Sequence, residues 1–392
     1  MKKYASALAL AAGLAAPAAF AQPTIDFNGE YEFNAYSVDE DLPGDGSDRA
    51  SAQLLRLGVN AKLSDGVQLV TRLNLSNRTW TGDAGSANPG DGSGFYTPDD
   101  GDDVTLDLGY VQLPLAGVLR VGRQESNWAN CFVSCDDRRD RIQWVTKVGD
   151  TNIGLGYDKR LEGATNNDDD STGYYGFAIG KLGPVVAGLL IYHVRYSDDY
   201  SGLGAAALAG DELTLVSPYF QTKLAGVNLQ GAFAYQDNPA YDDAQLGAYL
   251  RAGYDFGVVN VEGQLVWSDG YAPNQGFDSF SSIINNSPEN KNSALSRARI
   301  GIDTIGVAAR VSGNVTKQVK LVGAVGYYDN GDSTDFGPAN EEYEMTFVDL
   351  QAHYQLTPST TVWATAGRVK VDPAAGGERD VDAFSVNVRT TF

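Results

Sequence analysis

The stretch DVDAFSVNVRTTF, residues 380–392, decides how the rest of this chain is read. Phe384, Val386, Val388 and Phe392 share one parity, and Ala383, Ser385, Asn387 and Arg389 share the other. Strand side chains alternate faces with a period of two, so this segment is a strand with one apolar and one polar face. Thr390 interrupts the apolar face without breaking its phase, and the sequence stops at Phe392 with no tail.

The same alternation recurs upstream. In Ser51–Leu63, Leu55, Leu57, Val59 and Ala61 oppose Arg56, Gly58, Asn60 and Lys62. In Val67–Arg78, Leu69, Thr71, Leu73 and Leu75 oppose Gln68, Arg72, Asn74 and Ser76. The remaining expected strands are Thr24–Tyr36, Val104–Leu113, Val118–Gln124, Arg141–Val148, Asn152–Leu161, Gly173–Leu182, Val185–Asp198, Glu212–Lys223 and Val227–Asp237. Gln245–Phe256, Val258–Asp269, Arg297–Ser312, Lys317–Asp329, Tyr343–Gln355 and Thr360–Val371 complete the set. That makes about eighteen strands, or about sixteen if one hairpin is wrongly split.

Tight turns such as Ser64-Asp65-Gly66, Gly149-Asp150-Thr151 and Gly183-Pro184 alternate with long polar loops, among them Trp80–Asp103 and Gly270–Ser296. The 3.6-residue period of helices is nearly absent. A β-sandwich array would show linkers and mixed loop lengths. The expected fold class is therefore all-β, an antiparallel transmembrane barrel with its short turns at one end. Its low mean hydropathy of -0.26 is no objection, because a barrel crosses with alternating strands.

Residues 1–21 have the form of a secretory signal. Lys2 and Lys3 precede the short apolar run Ala5–Ala18, and Ala19-Phe20-Ala21 is an A-x-A cleavage site. The barrel domain is then 22–392, starting at Gln22, and losing the two lysines moves the net charge from -21 to -23. So acidic a chain is not expected to bind nucleic acid. Cys131 and Cys135 are the only cysteines. In an oxidising compartment a local disulfide is the default reading, and the alternative is a C-x3-C metal site. No cofactor is indicated.

The signal, the strand pattern and a terminal strand ending in Phe392 resemble Gram-negative outer-membrane barrels, in which such a strand is the assembly signal and pairs with the first strand. Leu119-Arg120-Val121-Gly122-Arg123-Gln124 resembles the strand that precedes the constriction loop of trimeric porins. That resemblance implies an outer-membrane homotrimer, inserted by the barrel-assembly machinery among lipids and lipopolysaccharide. It also implies that the third long loop folds inward to narrow a water-filled channel for small hydrophilic solutes. The loop here is Glu125–Asp140, without the Pro-Glu-Phe-Gly run common in general porins. Glu125, Asp136, Asp137 and Asp140 offer negative charge. Arg138, Arg139 and Arg141 offer positive charge, or pair with those acids. A Cys131–Cys135 disulfide would make the loop tip a rigid ring.

Arg56, Lys62, Arg72 and Arg120 fall on the polar faces of early strands, so they are expected on the lumen wall; a charge facing lipid costs about 2–4 kcal/mol near the midplane. Arg160, Arg195, Arg299, Arg368 and Lys370 read the same way. Arginines on one side and loop acids on the other would set a transverse field. Trp144, Tyr157, Tyr219, Tyr254, Tyr354 and Trp363 lie near segment ends, where interface girdles or plain strand propensity would place them. Small residues expected inside, Gly58, Gly109, Gly154 and Gly156, favour an open lumen over a filled structural barrel. The acidic sprays Asp99-Asp100, Asp102-Asp103 and Asp168-Asp169-Asp170 lack EF-hand spacing and read as solvation, with an electrostatic funnel as the alternative.

Two further functions are compatible with the same fold. One is a channel selective for sugars or oligosaccharides, lined by aromatic side chains. The other is a wall enzyme, for which only His193 and His353 could act as base, with no G-x-S-x-G element.

Overall fold

The computed structural model describes residues 23–40, 47–63, 65–80, 104–161, 170–197, 211–239, 241, 243–285, 295–333, 341–373 and 379–392. The residues of the signal, most of the loop Trp80–Asp103, and Asp168-Asp169 lie outside them. The chain forms strands β1 (Thr24–Glu40), β2 (Asp48–Lys62), β3 (Gln68–Thr79), β4 (Thr105–Leu113), β5 (Val118–Trp128), β6 (Ser134–Val148), β7 (Thr151–Leu161), β8 (Ser171–Leu182) and β9 (Val185–Tyr196). It continues with β10 (Glu212–Leu224), β11 (Val227–Asp237), β12 (Gln245–Asp255), β13 (Val259–Asp269), β14 (Thr304–Asn314), β15 (Val319–Ser333), β16 (Glu341–Thr357), β17 (Thr360–Pro373) and β18 (Arg379–Thr391).

Each strand pairs antiparallel with its neighbour, and β18 returns to β1, closing an 18-stranded barrel. Closure removes the unpaired edges that lipid would not tolerate. The terminal residue completes the seam: Gly29 N–H donates to Phe392 O at 2.8 Å, and Phe392 N–H donates to Gly29 O at 3.0 Å. A Cβ on Gly29 would lie 2.6 Å from Phe392 Cε2, so a glycine makes room for that ring. The parity of β18 is as expected. Phe384 and Val386 face outward, while Ser385 and Asn387 are buried inside, the latter bonded to Asn34 of β1.

Apolar residues such as Leu155, Leu265, Val307 and Leu350 stand exposed on the outer face. No described helix is long and apolar enough to cross a membrane; the strands do the crossing.

Two expected boundaries were wrong. Arg297–Ser312 is not one strand: β14 starts at Thr304, and residues 297–303 run inside the barrel. Residues 125–140 are not an open loop either, since β5 and β6 continue through most of it.

Parity also corrects several side chains. His193 and Arg195 share the outward face of β9 with Leu189 and Ile191, beside Glu212 at the rim. Arg368 and Lys370 alternate with the fully buried Val369 and Val371, so they too face outward, where Arg368 pairs with Asp380. Both groups sit toward the strand ends opposite the tight turns, and outward charge costs little near the interface. Tyr219 and Trp363 turn inward rather than joining a girdle, whereas Tyr254 and Tyr354 face outward. Arg299 lies off the strands, in the segment inside the barrel.

Candidate constriction and lumen cavity

The wall itself shows where the third connection leaves it. Pairing of β4 with β5 ends at Gly109↔Arg123, and pairing of β6 with β7 ends at Asp140↔Lys159. Between those points, residues 124–139 pair only with each other, through Gln124↔Arg139, Glu125↔Arg138, Ser126↔Asp137 and Trp128↔Ser134. Gly122 sits just before the departure with φ +126, and a Cβ there would lie 2.9 Å from Tyr110 Cα. Only glycine combines that φ with that approach.

The freed hairpin crosses the barrel. Trp128 Nε1–H donates to Ser217 O and Oγ of β10, both at 3.2 Å, and its indole meets Tyr219 edge-on at 5.0 Å. Tyr249 of β12 donates to Ala129 O at 3.3 Å. Phe132 packs among Tyr249, Tyr271 and Phe277 at 5.1, 5.6 and 5.2 Å between ring centroids. Cys131 and Cys135 are joined as a disulfide, with Cα atoms 4.5 Å apart, around a tip whose Ala129, Asn130 and Cys131 all have positive φ.

A second inward element went unassigned in the sequence. Phe277, Phe280, Ile283 and Ile284 are buried, as is Asp278 between Arg251 at 3.1 Å and Arg310 at 2.8 Å. Phe280 lies under both guanidiniums, 4.6 and 4.1 Å from its centroid. Ser282 N–H donates to Asp349 of β16 at 2.8 Å, and Tyr328 of β15 donates to Ser279 O at 2.9 Å. Arg297 reaches Glu40 at 3.0 Å and Asp48 at 2.7 Å. This segment covers apolar inner residues of β15–β18, including Met345, Phe347 and Val369. Each fully buried apolar side chain contributes about 1.5–3 kcal/mol.

The expected lumen residues divide into separate groups. Arg56 and Arg72 do face inward but are neutralised there. Arg56 pairs with Glu30 at 2.9 Å and Asp107 at 3.7 Å; Arg72 pairs with Asp107 and, at 2.7 Å, Glu125. Arg138 reaches back to Asp107 at 2.7 Å and Asp136 at 3.2 Å, and Arg389 pairs with Glu30 at 2.6 Å and Glu32 at 3.0 Å. The expected separation of a basic wall from an acidic loop is thus replaced by an interleaved network. Opposite charges at these distances gain more together than an extended field would.

Asp107 was not foreseen. It occupies an extra position on β4, since Arg72↔Leu108 is followed by Leu73↔Leu106. The bulge aims Asp107 into the network and shifts the phase, so that Gly109 pairs with the outward Thr71 instead of facing the lumen.

Lys62 lies exposed at the turn end of β2, with no ion pair among the described residues. Asp140 is exposed too, on the outward side, 4.0 Å from Arg123. Arg141 is a wall residue held by Asp158 at 2.8 and 2.9 Å. Arg139 pairs with Asp137 at 2.8 Å.

Between the hairpin and β6–β10 lies a cavity of about 460 Å³, lined by Arg120, Arg139, Arg141 and Arg160 on one side and by Phe177 and Leu190 on another. No cluster of His, Cys, Asp and Glu among the described residues could hold a metal.

Among known proteins, the sequence profile of a family described as Gram-negative porin matches residues 5–376. No curated protein matches the sequence. Solved structures similar in fold include Pseudomonas aeruginosa OpdK with vanillate, 12% identical, covering 94% of this chain and 99% of that one, at TM-score 0.59. Pseudomonas aeruginosa OccK3 (OpdO) is 12% identical over 94% of this chain and 96% of that one, at TM-score 0.60. Acinetobacter baumannii OccAB2 is 13% identical over 94% and 98%, at TM-score 0.59.

Proposed function

This chain belongs to the Gram-negative porin family, and on that premise we propose that it is a passive outer-membrane channel whose constriction is the hairpin of residues 124–139. The observation that carries this reading is the hairpin's departure from the wall and its anchorage on β10 and β12. A barrel of this size otherwise leaves an aqueous lumen. Small hydrophilic solutes and ions move through the remaining space down their gradients. Glu125, Asp136, Asp137, Arg138 and Arg139 act on the hairpin, with Arg56, Arg72, Arg120 and Arg141 on the wall. Asp140 and Lys62, both exposed away from the network, take no part in the constriction.

We read the working assembly as a homotrimer in lipid and lipopolysaccharide, inserted by the barrel-assembly machinery with Phe392 as part of its signal. The mature chain starts at Gln22, which the mass of the exported protein checks.

Planar-bilayer recording of the purified protein tests the channel. Large, ohmic steps arriving in threes are the expected result. Complete absence of conductance would overturn the reading. A saturable block by one sugar would turn it toward the sugar-selective channel. This reading assigns no catalytic role to His193, whose Nδ1 lies 3.1 Å from Thr214 Oγ1 on the outward face; a hydrolase that used it would lose ester cleavage on His193→Gln. Detecting such cleavage in the wild type would contradict the proposal.

A further inference from the structure

Inner faces of water-filled barrels are polar. Two sectors of this one are not. In β15–β18 the apolar inner residues are covered by the segment around Phe280. In β8–β10 the inward Phe177, Ile179, Leu190 and Leu213 are only half-buried and line the cavity. The aromatic rings continue along it: Tyr192 to Tyr175 at 6.0 Å, Tyr175 to Phe177 at 6.4 Å, and Phe177 to Trp128 at 6.2 Å between centroids.

The charged side of the cavity has a surplus. Its lining holds Arg120, Arg139, Arg141 and Arg160 against Glu125, Asp137 and Asp158. Glu125 is already engaged by Arg72, outside that set. Arg120 and Arg160 form no ion pair among the described residues. Arg160 donates to the Tyr192 hydroxyl at 3.0 Å and lies 5.4 Å over its ring. Arg120 donates to Gln112 Oε1 at 3.0 Å and lies 5.8 Å over Tyr110. A guanidinium has five N–H donors in a fork that fits a carboxylate, so each keeps donors for one. Arg120 pairs with Gln143 and Gln143 with Gly156, which places Arg160 four residues further along, about 13 Å at ~3.3 Å per residue.

We propose that this cavity is a binding site on the diffusion path for small carboxylates that carry an apolar ring. The carboxylate docks at Arg160, and the ring lies on the wall formed by Leu190, Leu213 and Phe177. Apolar surface left facing water favours a ligand that covers it, and the surplus guanidinium charge selects an anion over a neutral solute. The volume of about 460 Å³ falls within the roughly 300–1,000 Å³ of small-molecule sites. The site rests on the channel reading above, but its failure would look different.

The test is bilayer recording in KCl with added benzoate, acetate or sucrose, beside calorimetric titration of the detergent-solubilised protein with the same probes. Benzoate is expected to block saturably and to bind, with acetate and sucrose at least tenfold weaker. Arg160→Gln and Leu190→Asn should each raise the half-blocking benzoate concentration about tenfold. Arg195→Gln, on the outward face, should change neither conductance nor block. Equal effects of benzoate and acetate, or block by sucrose alone, would overturn the site while the KCl conductance keeps the channel. Absence of both conductance and benzoate heat would overturn the two together.

Discussion

Asp107→Asn removes the one carboxylate that Arg56, Arg72 and Arg138 share. Arginine cannot shed its proton, so the three guanidiniums keep their charge, with Glu30, Glu125 and the more exposed Asp136 the carboxylates left among the ion pairs described above. Removing one partner of a buried ion pair costs about 3–5 kcal/mol. Arg72, with its side chain 26% exposed, draws in water and places the loss near the lower end, about 3 kcal/mol.

The channel should feel the change as well. A unit charge acts on an ion about 8 Å away with about 0.5 kcal/mol in water, which screening over one Debye length cuts to about 0.2 kcal/mol. A cation loses and an anion gains that amount, so the chloride-to-potassium permeability ratio should rise about twofold. Reversal potentials in a KCl gradient measure the ratio, and denaturant unfolding of the folded barrel measures the stability. If neither moves, the three arginines do not depend on this carboxylate, and the clamp between hairpin and wall is wrong.

Gly122→Ala adds a Cβ 2.9 Å from Tyr110 Cα at φ +126, so the folded, heat-modifiable band on a gel should be strongly depleted. Cys131→Ser opens a very short ring; chain entropy predicts a loss of only about 2 kcal/mol, and the conductance step should persist because Trp128 and Phe132 still anchor the tip. Asp278→Ala strips both Arg251 and Arg310 of a buried partner, which should loosen the segment around Phe280 and raise open-channel noise. An unfolding midpoint unchanged from wild type would count against that last reading.

The barrel was legible in the chain because a strand in lipid has little choice. Its backbone must pair and its outward residues must be apolar, so Phe384, Val386, Leu55 and Leu57 announce both strand and face. The strand before the third connection, Leu119–Gln124, was read only through its family resemblance; that the chain leaves the wall just after Gly122, at φ +126, came from the structure. Parity alone would also have found Arg251 and Arg310, which share the inner faces of their strands with Tyr249 and Ala308. The run Phe277–Ile284 carried a signal too, since four large apolar side chains are out of place in an exposed loop.

What the sequence by itself determined is therefore the local part: strand, face, turn and the closing Phe392. Only the tertiary structure decided which charges meet. Alternation fails at the Asp107 bulge, and one extra residue on β4 both aims that carboxylate inward and turns Gly109 out. Beyond Arg123 the hairpin has no wall on either side, so both of its faces lie inside and parity no longer sorts them. The pairing of Glu125, Arg138 and Asp107, and the cavity left beside Arg160, depend on strands far apart in the chain being brought together by closure, and no local pattern records that distance.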